Sequence, residues 1–411
     1  MSSLAFTGPS RRFVTKLHRW SGLTLLAFLF IAGVTGALLS FRWELDALLN
    51  PALFEVTPSG KVLPQAEMIE RVEIRFPDAL VSGITYQKLP EDSLRISLRS
   101  RSESHAGLRH MPGMKATVAF NQVFVDPYSG AILGQRNTSD FVLSRLNFMP
   151  FMLRLHYSLF LEKWGVWFMG GCAVVWFVTT FLGAALIWPR LWTAFKSWRP
   201  IFAVRARQGG YKFNYDLHRS ASVITLPVLI VVAFTSIYLN LPNMVRPLVQ
   251  QFSPVTNFMS TPGVGRVAFD QAIQPPEQAV ATALAILPDA RVNTVFRDFA
   301  KGLYWVRLQL PTDVSPSGDN FVYVNMLNGA PTLTRLAANR SGADTFLAWQ
   351  LPLHDGTAFG LAGQIIICLT SLVIVVMCVT GLNVWLRKRR SARKVRAANF
   401  CSAAGRVDLG V

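Results

Sequence analysis

Four stretches of the chain, residues 20–41, 164–189, 220–245 and 356–386, carry no charged side chain. Each exceeds the ~20 residues that a helix needs to cross a ~30 Å hydrocarbon core. Charge-free runs of that length have few other uses, so they predict four transmembrane helices. The whole chain agrees, with 51% hydrophobic and 16% charged residues and a mean hydropathy of +0.33, values of a membrane protein. No small-residue cleavage site precedes Phe41, which predicts a retained first helix rather than a cleaved signal. Cys172, Cys368 and Cys378 lie in the spans and Cys401 near the C-terminus. The long segments between spans therefore have no disulfide framework.

The net charge of +18 raises the question of nucleic acid, and its distribution answers it. Residues 1–19, 190–219 and 387–411 together hold 19 basic residues and two acids, Asp216 and Asp408, whereas the rest of the chain holds 22 basic and 21 acidic residues. The excess flanks one side of the membrane, which the positive-inside rule makes the cytoplasm. Both termini and the middle loop are expected there, and topology accounts for the charge with no nucleic-acid partner.

The sequence also repeats itself. Leu17-His18-Arg19 opens the first span and Leu217-His218-Arg219 the third, 200 positions later. Thr35-Gly36 and Thr235-Ser236 follow at equal distances. Leu155-His156 and Leu353-His354 open the second and fourth spans, and Gly183 and Gly381 each lie 27 residues past their histidine. Between the spans, helix-like stretches end in Pro-Asp-Ala at Pro77 and Pro288, and alternating runs follow, Leu94-Ile96-Leu98 and Tyr304-Val306-Leu308. Turns ending in Gly130 and Gly329 complete each copy, the pattern of a strand, a tight turn and a returning strand. The expected fold is thus a membrane α-helical, four-transmembrane-helix bundle of two duplicated halves, each carrying a small α+β domain outside. The predicted divisions are a cytoplasmic N-terminus (1–16), helix one (17–41), the first outer domain (42–151), helix two (152–189) and a basic cytoplasmic loop (190–215). Helix three (216–240), the second outer domain (241–351), helix four (352–386) and a basic cytoplasmic tail (387–411) complete the chain.

Four of the six histidines open the four spans. An ionisable ring at membrane depth is costly without a partner and marks a candidate functional site. Topology sorts them: His18 and His218 lie toward the cytoplasmic face, His156 and His354 toward the outer face. A pseudo-two-fold axis along the membrane normal sets the members of each pair opposite one another, and two facing imidazoles can supply both axial ligands of a haem iron. A bare metal would want carboxylate or thiolate beside histidine, and only Asp216, Asp355 and Glu162 stand near. The alternative for each histidine is an interfacial polar residue, and for the glycines it is close helix packing.

The motifs LHRWSGL, VFVDPYSGAILG, LHYSL, LHRS and LHDGTAFGLAGQ resemble the PepSY-associated transmembrane family. Within it the chain is similar to siderophore-iron reductases of bacterial inner membranes. The resemblance spans residues 12–386 and implies PepSY-like periplasmic domains and two b-type haems (haem b). It implies His18 and His218 as ligands of an inner haem iron, and His156 and His354 as ligands of an outer one. The expected activity is reduction of a ferric siderophore on the periplasmic side with electrons from the cytoplasmic side. No G-x-G-x-x-G follows a strand, so no pyridine-nucleotide or flavin site is expected; the donor is a cytoplasmic protein or a quinol. Arg109, His110, Met111 and Met114 are candidate substrate contacts. The two ligand levels are expected to lie ~30 Å or more apart at 1.5 Å per residue, with Phe28, Phe30, Trp176 and Phe177 between them as candidate relays. Two departures from the family pattern are Ser222 where the first span has Gly22, and Asn325 where the first turn has Asp126. The competing readings are a membrane-anchored PepSY binding or regulatory protein without redox activity, and a chelate transporter. The transporter lacks paired charges or a proline break beyond Pro227 in mid-span.

Overall fold

A computed structural model describes residues 9–101, 119–187, 200–256 and 262–407. The chain divides into two compact units, one of Met1–Ser40, Leu155–Pro242 and Gln364–Val411 and the other of Phe41–Arg154 and Asn243–Gly363.

The first unit is helical. Four helices are long and apolar enough to cross a membrane, over Ser10–Leu39, Glu162–Ile187, Gly210–Asn240 and Thr357–Ala398, and the protein is a multi-pass membrane protein. Helix Glu162–Ile187 packs against both Pro9–Leu39 and Gly210–Asn240. Leu229, Ile374 and Cys378 form a buried cluster with Leu26, Leu29, Trp176 and Met377 around them. Glycine brings helices close where a side chain would intrude. A Cβ on Gly33 would lie 2.9 Å from Ser371 O, and one on Gly170 would lie 2.5 Å from the Leu241 side chain. Polar groups pair across the bundle, Thr179 Oγ1 with Ser21 Oγ at 2.8 Å and Gln364 Nε2 with Ser40 O at 2.8 Å, as they must where water is absent.

The second span does not run unbroken from residue 152. Helix Phe148–Ser158 stops, and a new helix starts at Glu162. The intervening backbone visits the left-handed region at Leu159 (φ 50°), Phe160 (φ 59°) and Glu162 (φ 49°), conformations that cost non-glycine residues of order 1–3 kcal/mol each. The fourth span begins in the same way, with helix Gln350–Asp355, positive φ at Gly356 (84°) and Gly360 (57°), and then helix Gly360–Val407. In both places a glycine lets the new helix tuck under the break. A Cβ on Gly165 would overlap Ser158 O, and one on Gly363 would overlap Gly356 O. The fourth helix continues well past residue 386, into the basic tail.

The second unit is built on one antiparallel sheet of eight strands in the order β4-β3-β2-β1-β5-β6-β7-β8. The strands are β1 Ala79–Thr85, β2 Leu94–Ser100, β3 Gln122–Val125, β4 Ile132–Arg136, β5 Arg291–Asp298, β6 Leu303–Gln309, β7 Asn320–Asn325 and β8 Pro331–Arg335. Helices Gln65–Arg75 and Pro276–Ile286 occupy the places that periodicity suggested. The first packs on a core containing Leu94, Ile96 and Leu98, the second on one containing Tyr304, Val306 and Leu308. The sequence pattern suggested one domain per half, whereas β1 and β5 pair and join the two into a single sheet. Gly83 lies opposite Phe296, where a Cβ would stand 3.1 Å from the ring. Tyr86 packs against both cores, and Arg297 of β5 donates to Glu73 Oε1 at 2.8 Å. The hairpin turns are alike despite the change of residue: Asp126 Oδ1 accepts from Tyr128 N–H and Asn325 Oδ1 from Leu327 N–H, both at 2.8 Å. Asparagine thus makes the same turn as aspartate.

Helix Arg42–Leu49, which follows the first span, is tied to β4 by a buried ion pair. Arg136 Nη1 and Nη2 donate to Asp46 Oδ1 and Oδ2 at 2.9 and 2.7 Å, with the side chains 2% and 3% exposed. Removing one partner of such a pair leaves an uncompensated buried charge, at a cost of about 3–5 kcal/mol. Asp46→Ala should therefore lower the melting temperature of the purified protein sharply, whereas Glu67→Ala, which breaks the exposed Arg71–Glu67 pair, should shift it little. Equal shifts for the two variants would contradict this assignment.

Candidate functional site

His18, His218 and His156 belong to the helical unit and His354 to the other unit. His18 lies on helix Pro9–Leu39 and His218 on helix Gly210–Asn240. Each ring is half-buried and turns one nitrogen toward a neighbouring helix. His18 Nδ1 lies 3.2 Å from Thr179 O, and His218 Nδ1 lies 3.0 Å from Met377 O. A carbonyl oxygen only accepts, so each Nδ1 carries the proton and each neutral ring presents an Nε2 lone pair. Among the described residues neither Nε2 makes a hydrogen bond. Thr380 Oγ1, which donates to Val376 O at 2.7 Å, gives the His218 Nδ1–H a second acceptor at 3.3 Å.

The two settings match position by position. Thr179 lies 23 residues after His156 and Met377 lies 23 after His354, so the accepting carbonyls occupy corresponding places. The glycines 27 residues past those histidines face the rings. A Cβ on Gly183 would lie 3.0 Å from His18 Cε1, and one on Gly381 would lie 3.3 Å from His218 Cε1. These glycines make room for an imidazole against the adjacent backbone. Gly22 has no such duty, since nothing lies within 4 Å of a Cβ placed there. Ser222 in the corresponding place of the third span is therefore no obstacle.

His156 sits at the end of the short helix Phe148–Ser158, ahead of the break. Its Nδ1 is 2.9 Å from Thr35 Oγ1, and that hydroxyl donates to Ile31 O at 2.7 Å. With its proton so engaged the threonine accepts, and the His156 ring too is protonated at Nδ1. A Cβ on Gly36 would lie 3.3 Å from His156 Cε1. The break thus carries His156 back to the level of Thr35. Thr35 is 17 residues beyond His18 on one helix, so the two levels lie about 25 Å apart along the axis, less than the length of the span suggested. The partner Thr35 was available in the sequence as half of the repeated Thr35/Thr235 pair.

The carboxylates near the histidines are already engaged. Asp216, two residues before His218 and fully buried, accepts from Arg205 Nε at 2.7 Å and lies 3.3 Å from Arg219 Nη2. Asp355 caps its own turn through Thr357 N–H at 3.0 Å and Thr357 Oγ1 at 2.6 Å. Among the described residues no group of three or more His, Cys, Asp or Glu is arranged to hold a metal ion. What the site offers is single imidazoles oriented by hydrogen bonds at Nδ1, with the Nε2 atoms of His18 and His218 unengaged among the described residues, the arrangement by which second-shell groups prepare histidine ligands. Of the aromatics between the levels, Trp176 packs on the interior cluster, Phe177 contacts Phe181 and Phe234, Phe28 contacts Phe168, and Phe30 is 40% exposed. Arg109, His110, Met111 and Met114 lie outside the described residues.

Comparison with curated proteins finds no match. The family described as the PepSY-associated TM region matches residues 15–388, a stretch that takes in all four histidines and both segments of the sheet. The chain belongs to the PepSY-associated transmembrane family.

Proposed function

We propose that this protein is a haem-bearing electron-transfer protein of the bacterial inner membrane that reduces ferric siderophore on the periplasmic side. The observation that carries the proposal is the matched setting of His18 and His218, each with Nδ1–H on a main-chain carbonyl and a glycine against the ring. Two such rings provide two metal–ligand nitrogens, which suits iron already held in a macrocycle by four others. In this reading His18 and His218 hold one haem b, while His156 and His354, the other pair of the repeat, hold a second. The matched carbonyls, glycines and helix breaks and the mirrored strand order of the sheet support it. Haem bound there supplies one-electron chemistry.

The chain's own residues have defined tasks. Thr179 O, Met377 O with Thr380 Oγ1, and Thr35 Oγ1 hold the Nδ1 protons of His18, His218 and His156 and so aim each Nε2. Hydrophobic helices exclude water between the levels, and the basic flanks keep both termini in the cytoplasm. In each cycle ferric iron gains one electron and becomes ferrous, the donor loses one, and no atom is transferred. A reduced protein serves as donor, or a quinol, which would support two cycles and release two protons. Ferrous iron is held less tightly by hard oxygen ligands, so reduction frees the metal. The second reading, a membrane-anchored PepSY binding protein without redox activity, predicts no haem.

A reduced-minus-oxidised spectrum of the full-length protein, produced with adequate haem supply, should show b-type bands; a colourless protein would favour the anchor reading. His156→Ala should remove one spectral component and leave that of His18 and His218, and retention of the full spectrum would refute the pairing. Gly183→Leu should lower haem content at the inner pair with little loss at the outer, because the new side chain occupies the place of the His18 ring. Thr35→Val, which removes only the acceptor for His156 Nδ1, should shift the outer midpoint potential or reduce occupancy by roughly the 10–100-fold in affinity associated with second-shell groups. An unchanged outer signal in Thr35→Val would contradict the role given to that hydroxyl.

A further inference from the structure

Helix Arg42–Leu49 lies on the face of the first half-sheet opposite helix Gln65–Arg75. Leu94, Ile96 and Leu98 of β2 point into the core under Gln65–Arg75, so Arg95 points the other way. There its guanidinium carbon stands over the Trp43 ring, 4.2 Å from the centroid, and that of Arg42 stands over the same ring at 4.5 Å. Lys88 is exposed in the loop between β1 and β2, where Arg95 and Arg291 act on its charge in one sense and Glu44 and Asp92 in the other.

Cations gathered in a half-buried setting are ordinarily paired, as Arg136 is with Asp46 in the same unit. The side chains of Arg42, Arg95 and Lys88 make no hydrogen bond or ion pair among the described residues. Burial, and after it Arg136 and Arg42, push the Arg95 pKa down to about 10, against the pull of Asp46 and Asp92. Burial lowers Arg42 as well, with Asp355 and Glu44 acting in the opposite sense. These groups repel one another, and the acids that act on them, Glu44, Asp46, Asp92 and Asp355, make no hydrogen bond or ion pair with their side chains among the described residues. A guanidinium stacked on an indole keeps its N–H fork free at the edge, and that fork matches a carboxylate or a similar pair of oxygens. Trp43 remains 40% exposed, so the described residues leave the cluster uncovered on one side. Asp355, whose charge acts on Arg42, is the chain neighbour of His354.

We propose that Arg42 and Arg95, stacked on Trp43, form the binding site for an anionic, oxygen-rich iron chelate, one whose outer surface carries carboxylate or catecholate oxygens. The assignment of the anion as the iron chelate rests on the proposed function; the anion site itself rests on the geometry. It makes the protein selective for charge, with polyanionic chelates preferred over neutral ones, and it places the chelate on the extramembrane unit close to His354.

The test is binding of a redox-silent probe to the full-length protein in neutral detergent, which requires neither haem nor a donor. Gallium(III) in excess citrate is titrated calorimetrically against a neutral gallium(III) tris-hydroxamate. The wild type should bind the citrate complex with an affinity that falls as salt rises. Arg42→Gln and Arg95→Gln should each weaken it at least about tenfold, with the neutral probe unaffected. Both variants should melt close to the wild type, because each loses a stacking contact on Trp43 but relieves repulsion between the two guanidiniums. Arg95→Lys, which retains charge but loses the fork, should fall between. Unchanged citrate affinity in both glutamine variants, or no citrate binding in the wild type, would overturn the proposal. So would loss of haem in Arg95→Gln with citrate affinity intact, since the cluster would then serve the carboxylates of the cofactor. A colourless wild-type protein that still binds citrate through these arginines would instead sink the electron-transfer reading and leave the anion site standing.

Discussion

An imidazole carried into a helical bundle must have its N–H satisfied by the protein, because the hydrocarbon offers no partner. Here the acceptors are main-chain carbonyls for His18 and His218, and a threonine hydroxyl for His156. A helix carbonyl is normally spent on its own helix, and sharing it with a ring demands that the ring approach the backbone closely. Gly183 and Gly381 permit that approach. Once the Nδ1 protons are committed, both tautomer and ring orientation follow, and for His18 and His218 the Nε2 atoms are left available as ligands. Helix packing, glycine placement and ligand chemistry are thus consequences of one requirement.

His156 needs a second device. A straight second span would leave His156 beyond the end of the first helix. The break at Leu159–Phe160–Leu161 and the tuck over Gly165 bring it back beside Thr35 and Gly36. Strained backbone of this kind persists only where the surroundings enforce it, and it tends to occur at functional places. In the unit built on the sheet, by contrast, most features serve stability: two apolar cores, a shared seam at β1 and β5, and the Asp46–Arg136 pair. The Arg42–Trp43–Arg95 cluster departs from that economy: its guanidiniums stack on an indole and make no hydrogen bond or ion pair among the described residues, unlike the structural pairs around it.

Much of this was legible in the sequence. Charge-free runs located the four spans because few other structures tolerate them. The helices at Gln65–Arg75 and Pro276–Ile286 and the alternation in β2 and β6 were visible because one-sided burial imprints a period. Gly183 and Gly381 stood out through the repeat. Other features left no local trace. The break before Glu162 falls in Leu-Phe-Leu-Glu, with neither glycine nor proline to mark it, whereas the matching break before the fourth span is announced by Gly356 and Gly360. The joining of β1 to β5 depends on strand edges more than 200 residues apart, and Asp46 meets Arg136 across 90 residues. The cations about Trp43 escaped notice for the same reason: Arg42 and Arg95 look like ordinary surface charges until the fold stacks them on one ring.

The central claim, that imidazoles from different helices share one iron, is tested most directly by electron paramagnetic resonance of the oxidised full-length protein. Bis-histidine ligation predicts low-spin ferric signals, with the component from the inner pair turning high-spin or vanishing in both His18→Ala and His218→Ala. A ferric signal unchanged by either substitution, or no haem signal in the intact protein, would contradict the account.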